Sequence, residues 1–222
     1  HPLDMDRVAL DDQKVFDLFR RGDTVGIFQF ESGGMRKLLT EMLPDRLEDL
    51  IAANALYRPG PMDLIPDYNA RKHGRQSVPK VHEIVDRYTD ETYGVMVYQE
   101  QIMKILNQLG GIPLAKAYTT IKAISKKKEE VIASNEQQFV DGSVSQGLSR
   151  SQAGEIWNMI LQFAAYGFNK SHSVAYAQVS YQTAYLKAHY PLEFMAALLS
   201  ADIPGRNFAK KDSLCEHLDD CR

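Results

Sequence analysis

The chain has 222 residues, of which 44% are hydrophobic and 25% charged, and its formal net charge is −3. That length allows one large domain or one and a half, and the apolar fraction suffices for a packed core. The acidic balance excludes nucleic-acid binding through overall basicity, so any such binding rests on local patches. No apolar run reaches the roughly eighteen residues that a membrane-spanning helix needs. The start, His1-Pro2-Leu3-Asp4, has neither a basic segment nor an apolar h-region and is not a signal peptide. The lack of an initiator Met leads to the expectation of an internal fragment.

Helical signals dominate in chain order. Asp11 to Arg21 reads as a short amphipathic helix ended by Gly22. Gly26 to Phe30 is apolar and β-rich and is the best strand candidate. Asp45-Arg46-Leu47-Glu48 resembles a capping box, opening a helix whose apolar face is Leu47, Leu50, Ile51 and Ala55. Pro59, Gly60 and Pro61 break the chain, and a loop with short elements runs to Gly94. Val95 to Val97 gives a second brief strand. Gln99 to Leu109 is a helix with Ile102, Ile105, Leu106 and Leu109 on one face, and Pro113 starts the next.

A further helix covers Glu129 to Gln146. Ser149-Arg150-Ser151-Gln152 looks like another capping box, before a stripe of Ile156, Trp157, Ile160 and Leu161. A polar turn, Gly167 to His172, then opens a long helix studded with tyrosines, which stops at Tyr190 because Pro191 cannot continue it. Pro191 starts another helix that ends near Pro204-Gly205, and Ser213 to Glu216 reads as one more helix start. The expected fold is therefore mainly α, with many helices and one or two short strands near the N-terminus and around 95–98.

Three clusters carry chemistry. The turn Asn169-Lys170-Ser171-His172 sits at a helix start, where N–H groups and the positive end of the dipole favour an anion. His172 and Tyr176 are four apart and share a face. Two readings stay open here: a phosphate site with a stacking ring, or a plain cap with half-buried tyrosines. Arg58 precedes Pro59, which holds its backbone extended; it either meets a phosphate or pairs with an acid such as Glu48 or Asp49. Lys122, Lys126, Lys127 and Lys128 form the dense cationic cluster, fit for a triphosphate or a nucleic-acid backbone, or simply solvated beside Glu129 and Glu130.

Two other patterns point to weaker chemistry. Cys215, His217 and Cys221 invite a zinc reading, but the spacing is unusual and a fourth ligand is lacking, so thiols in a reducing compartment are expected. Asp4-Met5-Asp6 has the form of a carboxylate pair for metals but lies in an end with no apolar strand around it.

The order of blocks is more specific than the residue types. FNKSHSVAYAQVSYQTAYLKAHYP, starting at Phe168, resembles a signature of the C-family of bacterial replicative DNA polymerases, the alpha subunits of DNA polymerase III. GIFQFESGGM at Gly26–Met35, ALYRPGPM at Ala55–Met62, TYGVMVYQEQIM at Thr92–Met103 and YPLEFMAALLSADI at Tyr190–Ile203 agree in order. The resemblance implies a fingers domain at 32–205. It also implies a connector from a preceding palm at 1–31 and the truncated start of a helical region at 206–222.

The implied role is to bind the incoming deoxynucleoside triphosphate over the template-primer during DNA synthesis. Lys122, Asn169, Lys170, Ser171, His172, Tyr176 and Arg58 would take nucleotide or phosphate, and Lys126, Lys127 and Lys128 would touch DNA or phosphate. The palm aspartates that hold Mg²⁺ lie outside this chain, so it carries no catalytic residue or metal ligand of its own and is expected to be inactive alone. Implied partners are the triphosphate, primer-template DNA, other domains of the same polymerase chain and replisome subunits such as the sliding clamp, all in the bacterial cytoplasm and away from membranes.

The chain departs from the commonest family pattern where two adjacent arginines precede a Gly-Lys-Lys turn. Here those positions read Ile121 and Lys122, with Ser125 for the glycine. Lysine is a point charge without the guanidinium fork. The alternative from another class is a non-catalytic helical module that binds nucleic acid or a protein.

Overall fold

A computed structural model describes residues 3–201 and 217–221. Its helices are Gln13–Arg21 (α1), Gly33–Met42 (α2), Leu47–Leu56 (α3), Ile65–Lys72 (α4), Glu83–Thr89 (α5), Gln99–Gln108 (α6), Leu114–Ser125 (α7), Glu129–Ser145 (α8), Arg150–Ala164 (α9), Lys170–His189 (α10) and Pro191–Ala201 (α11). Short 3-10 turns lie at Met5–Arg7, Pro61–Leu64 and Asp90–Thr92. The chain forms two compact units. One comprises His1–Asn54 and Val174–Arg222, the other Ala55–Ser173.

In the first unit, α1 begins where the Asp12 side chain accepts from the N–H groups of Lys14 and Val15, and ends at Gly22 in the left-handed region. It buries Val15, Phe16 and Phe19. The Phe16 ring meets Tyr181 edge-on at 5.6 Å, and Phe19 meets Phe30 at 5.4 Å. The Tyr181 hydroxyl accepts from the Asp12 N–H at 2.8 Å and donates to the Ala9 carbonyl at 3.0 Å. Burial pushes its pKa up to about 12. Burial works against ionisation of Asp12. Hydrogen bonds from His189 and from the N–H groups of Val15 and Lys14 outweigh it and hold the carboxyl below the usual carboxylate range.

The two strand expectations fail. Residues 26–30 form successive turns, closed by the Thr24 hydroxyl donating to the Phe30 carbonyl at 2.6 Å. Gly26 has φ +76°, and a Cβ there would lie 2.5 Å from a Leu198 methyl. Residues 95–98 are extended and buried, yet among the described residues they form a single β-bridge, Tyr98 with Phe168. The reason is that a side chain takes the N–H groups a neighbouring strand would need. Gln101 Oε1 accepts from Val97 N–H at 2.8 Å and from Tyr98 N–H at 2.9 Å. Helix α2, which opens on Gly33-Gly34, was not anticipated; the Ser32 side chain caps it. The Cys215 half of the metal reading and the helix start at Ser213 lie outside the described residues.

In the second unit, α5 packs on α6, α6 on α7, α7 on α8 and α8 on α9. Their shared core includes Ile102, Ile105, Leu106, Ile121, Phe139, Ile156, Trp157 and Ile160. The α9 capping box forms as expected, with Ser149 and Gln152 exchanging hydrogen bonds. Gly142 of α8 lies against the backbone of Gly110, where a Cβ would come within 2.3 Å of the Gly110 carbonyl oxygen. The buried Gln101 is the polar hub. Besides its two acceptor bonds, its amide donates to the Tyr88 carbonyl at 3.0 Å and to Thr92 Oγ1 at 2.9 Å. The side chain thereby uses its whole hydrogen-bonding capacity.

Two outcomes are expected. Gly142→Ala should lower stability by about 1–3 kcal/mol, because the added methyl forces α8 off the Gly110 turn; thermal melts followed by circular dichroism check this. Gln101→Ala should cost about 3 kcal/mol, since it strands buried N–H groups as well as losing bonds. Urea unfolding would read it, and an unchanged midpoint would contradict the hub role.

Candidate functional site

The candidate site belongs to the second unit and starts from the extended run 95–98. Phe168 N–H donates to the Val97 carbonyl at 3.0 Å, and Gln99 N–H donates to the Phe168 carbonyl at 2.9 Å. The Gln99 side chain donates to the Gly167 carbonyl at 3.0 Å. These bonds lay the turn before α10 onto the start of α6. Gly60, at φ +101°, lets the Tyr166 ring approach, since a Cβ there would sit 2.5 Å from that ring. Arg58 finishes the clamp. Its Nε donates to the Ala55 carbonyl at 2.8 Å, its Nη2 donates to the Tyr166 carbonyl at 2.8 Å, and its guanidinium lies 4.3 Å from the centre of the Phe168 ring. Burial lowers its pKa from the ordinary arginine value. These donors meet backbone carbonyls, whereas Glu48 or Asp49 had been the acid partners considered.

At the helix start, Asn169 acts as a cap: its Oδ1 accepts from His172 N–H at 2.8 Å. The His172 ring meets Phe168 edge-on at 5.6 Å. Ser171 and His172 are exposed. The expected anion position at this start is filled by carboxylates of the chain itself. Lys170 N–H donates to Glu100 Oε2 at 2.9 Å, and Lys170 Nζ lies 2.7 Å from both oxygens of Glu91. Tyr98 presents its ring 5.4 Å from the same ammonium.

The lysine cluster follows α7. Lys128 N–H bonds the Ala123 carbonyl and Lys127 N–H bonds that of Ile124, each at 3.0 Å, a Schellman ending with Lys127 at φ +53°. The helix thus ends at Ser125, and Lys126 stands beyond it. Lys122, Lys126 and Lys128 nevertheless line one open cleft of about 310 Å³, with Thr119, Ala123 and Val131. Lys127 lies in an adjoining hollow with Glu129 and Glu130. Lys122 Nζ sits 4.4 Å from the centre of the exposed Tyr118 ring. Ser125 Oγ donates to the Ala164 carbonyl at 3.4 Å, which ties the end of α7 to the end of α9 just before the turn.

Tyr176 belongs to the first unit, where its ring packs on Phe28 at 5.2 Å. Asp4 is committed locally: it caps the turn Met5–Arg7 and pairs with Arg7 at 3.2 Å. Among the described residues, no group of three or more His, Cys, Asp or Glu side chains could hold a metal ion. No described helix is long and apolar enough to cross a membrane. Sequence reading missed Glu91, Gln101 and Tyr118, and gave Glu100 no role. The four-residue spacing of Tyr118 and Lys122 was a usable signal. The pairing of Glu91 with Lys170 spans 79 positions and leaves no local one.

A family model described as the bacterial DNA polymerase III alpha subunit finger domain matches residues 1–147. Curated DNA polymerase III alpha subunits match further along. That of Halalkalibacterium halodurans is 50% identical over 200 residues, 90% of this chain and 18% of the relative. That of Thermus aquaticus is 46% identical over 225 aligned positions, 99% of this chain and 18% of the relative. That of Bacillus subtilis is 48% identical over 201 residues, 90% of this chain and 18% of the relative. The chain therefore spans about a fifth of the length of the curated relatives it matches. The turn 168–172 falls beyond the family model but inside the stretch aligned with these relatives. With its ordered helices, its clamped turn and this agreement, the chain belongs to the bacterial DNA polymerase III alpha subunit finger domain family.

Proposed function

We propose that this chain is the fingers segment of a replicative DNA polymerase and binds the incoming deoxynucleoside triphosphate over the template-primer. The observation that carries the reading is the cleft lined by Lys122, Lys126 and Lys128, in a chain of this family. Lys122 and Lys170 neutralise phosphates, and Ser171 and His172 orient them. Asn169 and Arg58 act by holding the turn. Lys126, Lys127 and Lys128 reach DNA or further phosphates. Lysine in place of the family's paired arginines keeps the charge while giving up bidentate geometry.

Mg²⁺ chemistry falls to residues outside this chain. Asp4, bound to its own turn and to Arg7, does not fit a two-metal pair. The partners in this reading are the triphosphate, primer-template DNA, the rest of the polymerase chain and replisome subunits such as the clamp, in the bacterial cytoplasm. One observation favours the alternative of a non-catalytic nucleic-acid-binding module: Lys170 is already engaged by Glu91, while the lysines of the cleft are exposed.

Two measurements test the proposed reading, and the second separates it from the alternative. The purified chain with Mg²⁺, primer-template and all four triphosphates should show no primer extension; extension would contradict the assignment of the metal carboxylates elsewhere. Within a complete polymerase, Lys122→Ala and Lys170→Ala should each raise the KM for nucleotide roughly tenfold, the scale of a lost charge-assisted hydrogen bond, and weaken primer-template binding less. A lysine that touched only DNA would instead reduce the salt slope of DNA affinity by about one.

A further inference from the structure

The engagement of Lys170 has a consequence for how the site opens. Its ammonium has three protons, and a bidentate carboxylate at 2.7 Å to both oxygens occupies the strongest donor directions. Glu100 takes the N–H of the same residue at 2.9 Å. Glu91 thus holds the ammonium and Glu100 the backbone N–H, so two carboxylates already meet this residue. A phosphate therefore meets repulsion there while both acids stay in place.

We propose that Glu91 is an internal competitor for the anion at Lys170, so that a nucleoside triphosphate binds by exchanging with the Glu91 carboxylate. The proposal rests on the reading of this turn as part of a triphosphate site. Three features favour exchange over a fixed structural pair. The Lys170 and Glu91 side chains are 33% and 34% exposed, so parting them returns both charges to water instead of stranding them in an apolar core. Glu91 comes from the short 3-10 turn Asp90–Thr92, while Thr92, two bonds deep in the Gln101 network, anchors that turn from its far side. Finally, Lys170 approaches the Tyr98 ring, which keeps the ammonium in place after the carboxylate leaves. A triphosphate presents the same kind of oxygen acceptor with a higher charge, so it can displace one carboxylate.

The test measures dATP affinity of the full chain by calorimetry for the original protein and for Glu91→Gln, Glu91→Asp, Lys170→Ala and the double variant Glu91→Gln/Lys170→Ala. Glu91→Gln should bind dATP about two- to fivefold more tightly, the scale for relieving a partly exposed ion pair. Glu91→Asp should fall between the two. Lys170→Ala should bind more weakly, and the double variant should match Lys170→Ala. If Lys170→Ala weakens binding while Glu91→Gln leaves it unchanged or weaker, the exchange is wrong and the triphosphate reading stands. If Glu91→Gln tightens binding equally with Lys170 removed, the competition does not run through Lys170 and the proposal is overturned. If Lys170→Ala changes nothing, both the exchange and the assignment of Lys170 to phosphate fail.

Discussion

Gln101 makes four hydrogen bonds at once, and the candidate site depends on them. The amide is buried, where an unmet polar group is costly, so its bonds cannot be loosened one at a time. Two of them, to Val97 and Tyr98 N–H, keep residues 95–98 extended but deny them a strand partner. The carbonyl of Val97 and the N–H of Gln99 are thereby left facing one residue, Phe168. A side chain on α6 thus decides that the turn before α10 docks as a single bridge and not as a ladder. The other two bonds hold Tyr88 and Thr92, which brings the short turn carrying Glu91 to the same place.

Charge at this place is balanced within the chain. Lys170 faces two carboxylates, and Arg58 spends its donors on backbone carbonyls and its flat face on Phe168. The lysines of the α7–α8 cleft differ: they are exposed, and Lys122 lies over the Tyr118 ring. Within this unit Lys170 is thus held by a carboxylate, while the lysines of the cleft are exposed.

Much of the helical frame was legible in the sequence. Capping signals and three- or four-residue apolar spacing act over a few residues, so the amphipathic run ended by Gly22, and Ser149 with the Ile156–Trp157–Ile160 stripe, located α1 and α9 without tertiary information. The failures share a cause. Gly26 to Phe30 and Val95 to Tyr98 have strand-like composition, but long-range or side-chain bonds decide their backbone pairing. Helix α2 begins on two glycines, which hide it from propensity. At the site, polar residue types at a helix start and the order of blocks singled out the turn Asn169–His172, and charge density singled out the lysine cluster. Nothing local could show that Glu91, far away in sequence, would occupy Lys170. The same holds for Tyr176, whose spacing from His172 was read correctly as one helical face while its ring packs on Phe28.

The central claim is that the second unit itself recognises a triphosphate through the cleft and the clamped turn. Backbone amide chemical shifts of the isotope-labelled chain during titration with dATP address it most directly. The account predicts that saturable shifts concentrate in residues 119–128 and 166–172. Shifts absent from both stretches at saturating dATP, or appearing there only when single-stranded DNA is added, would contradict it.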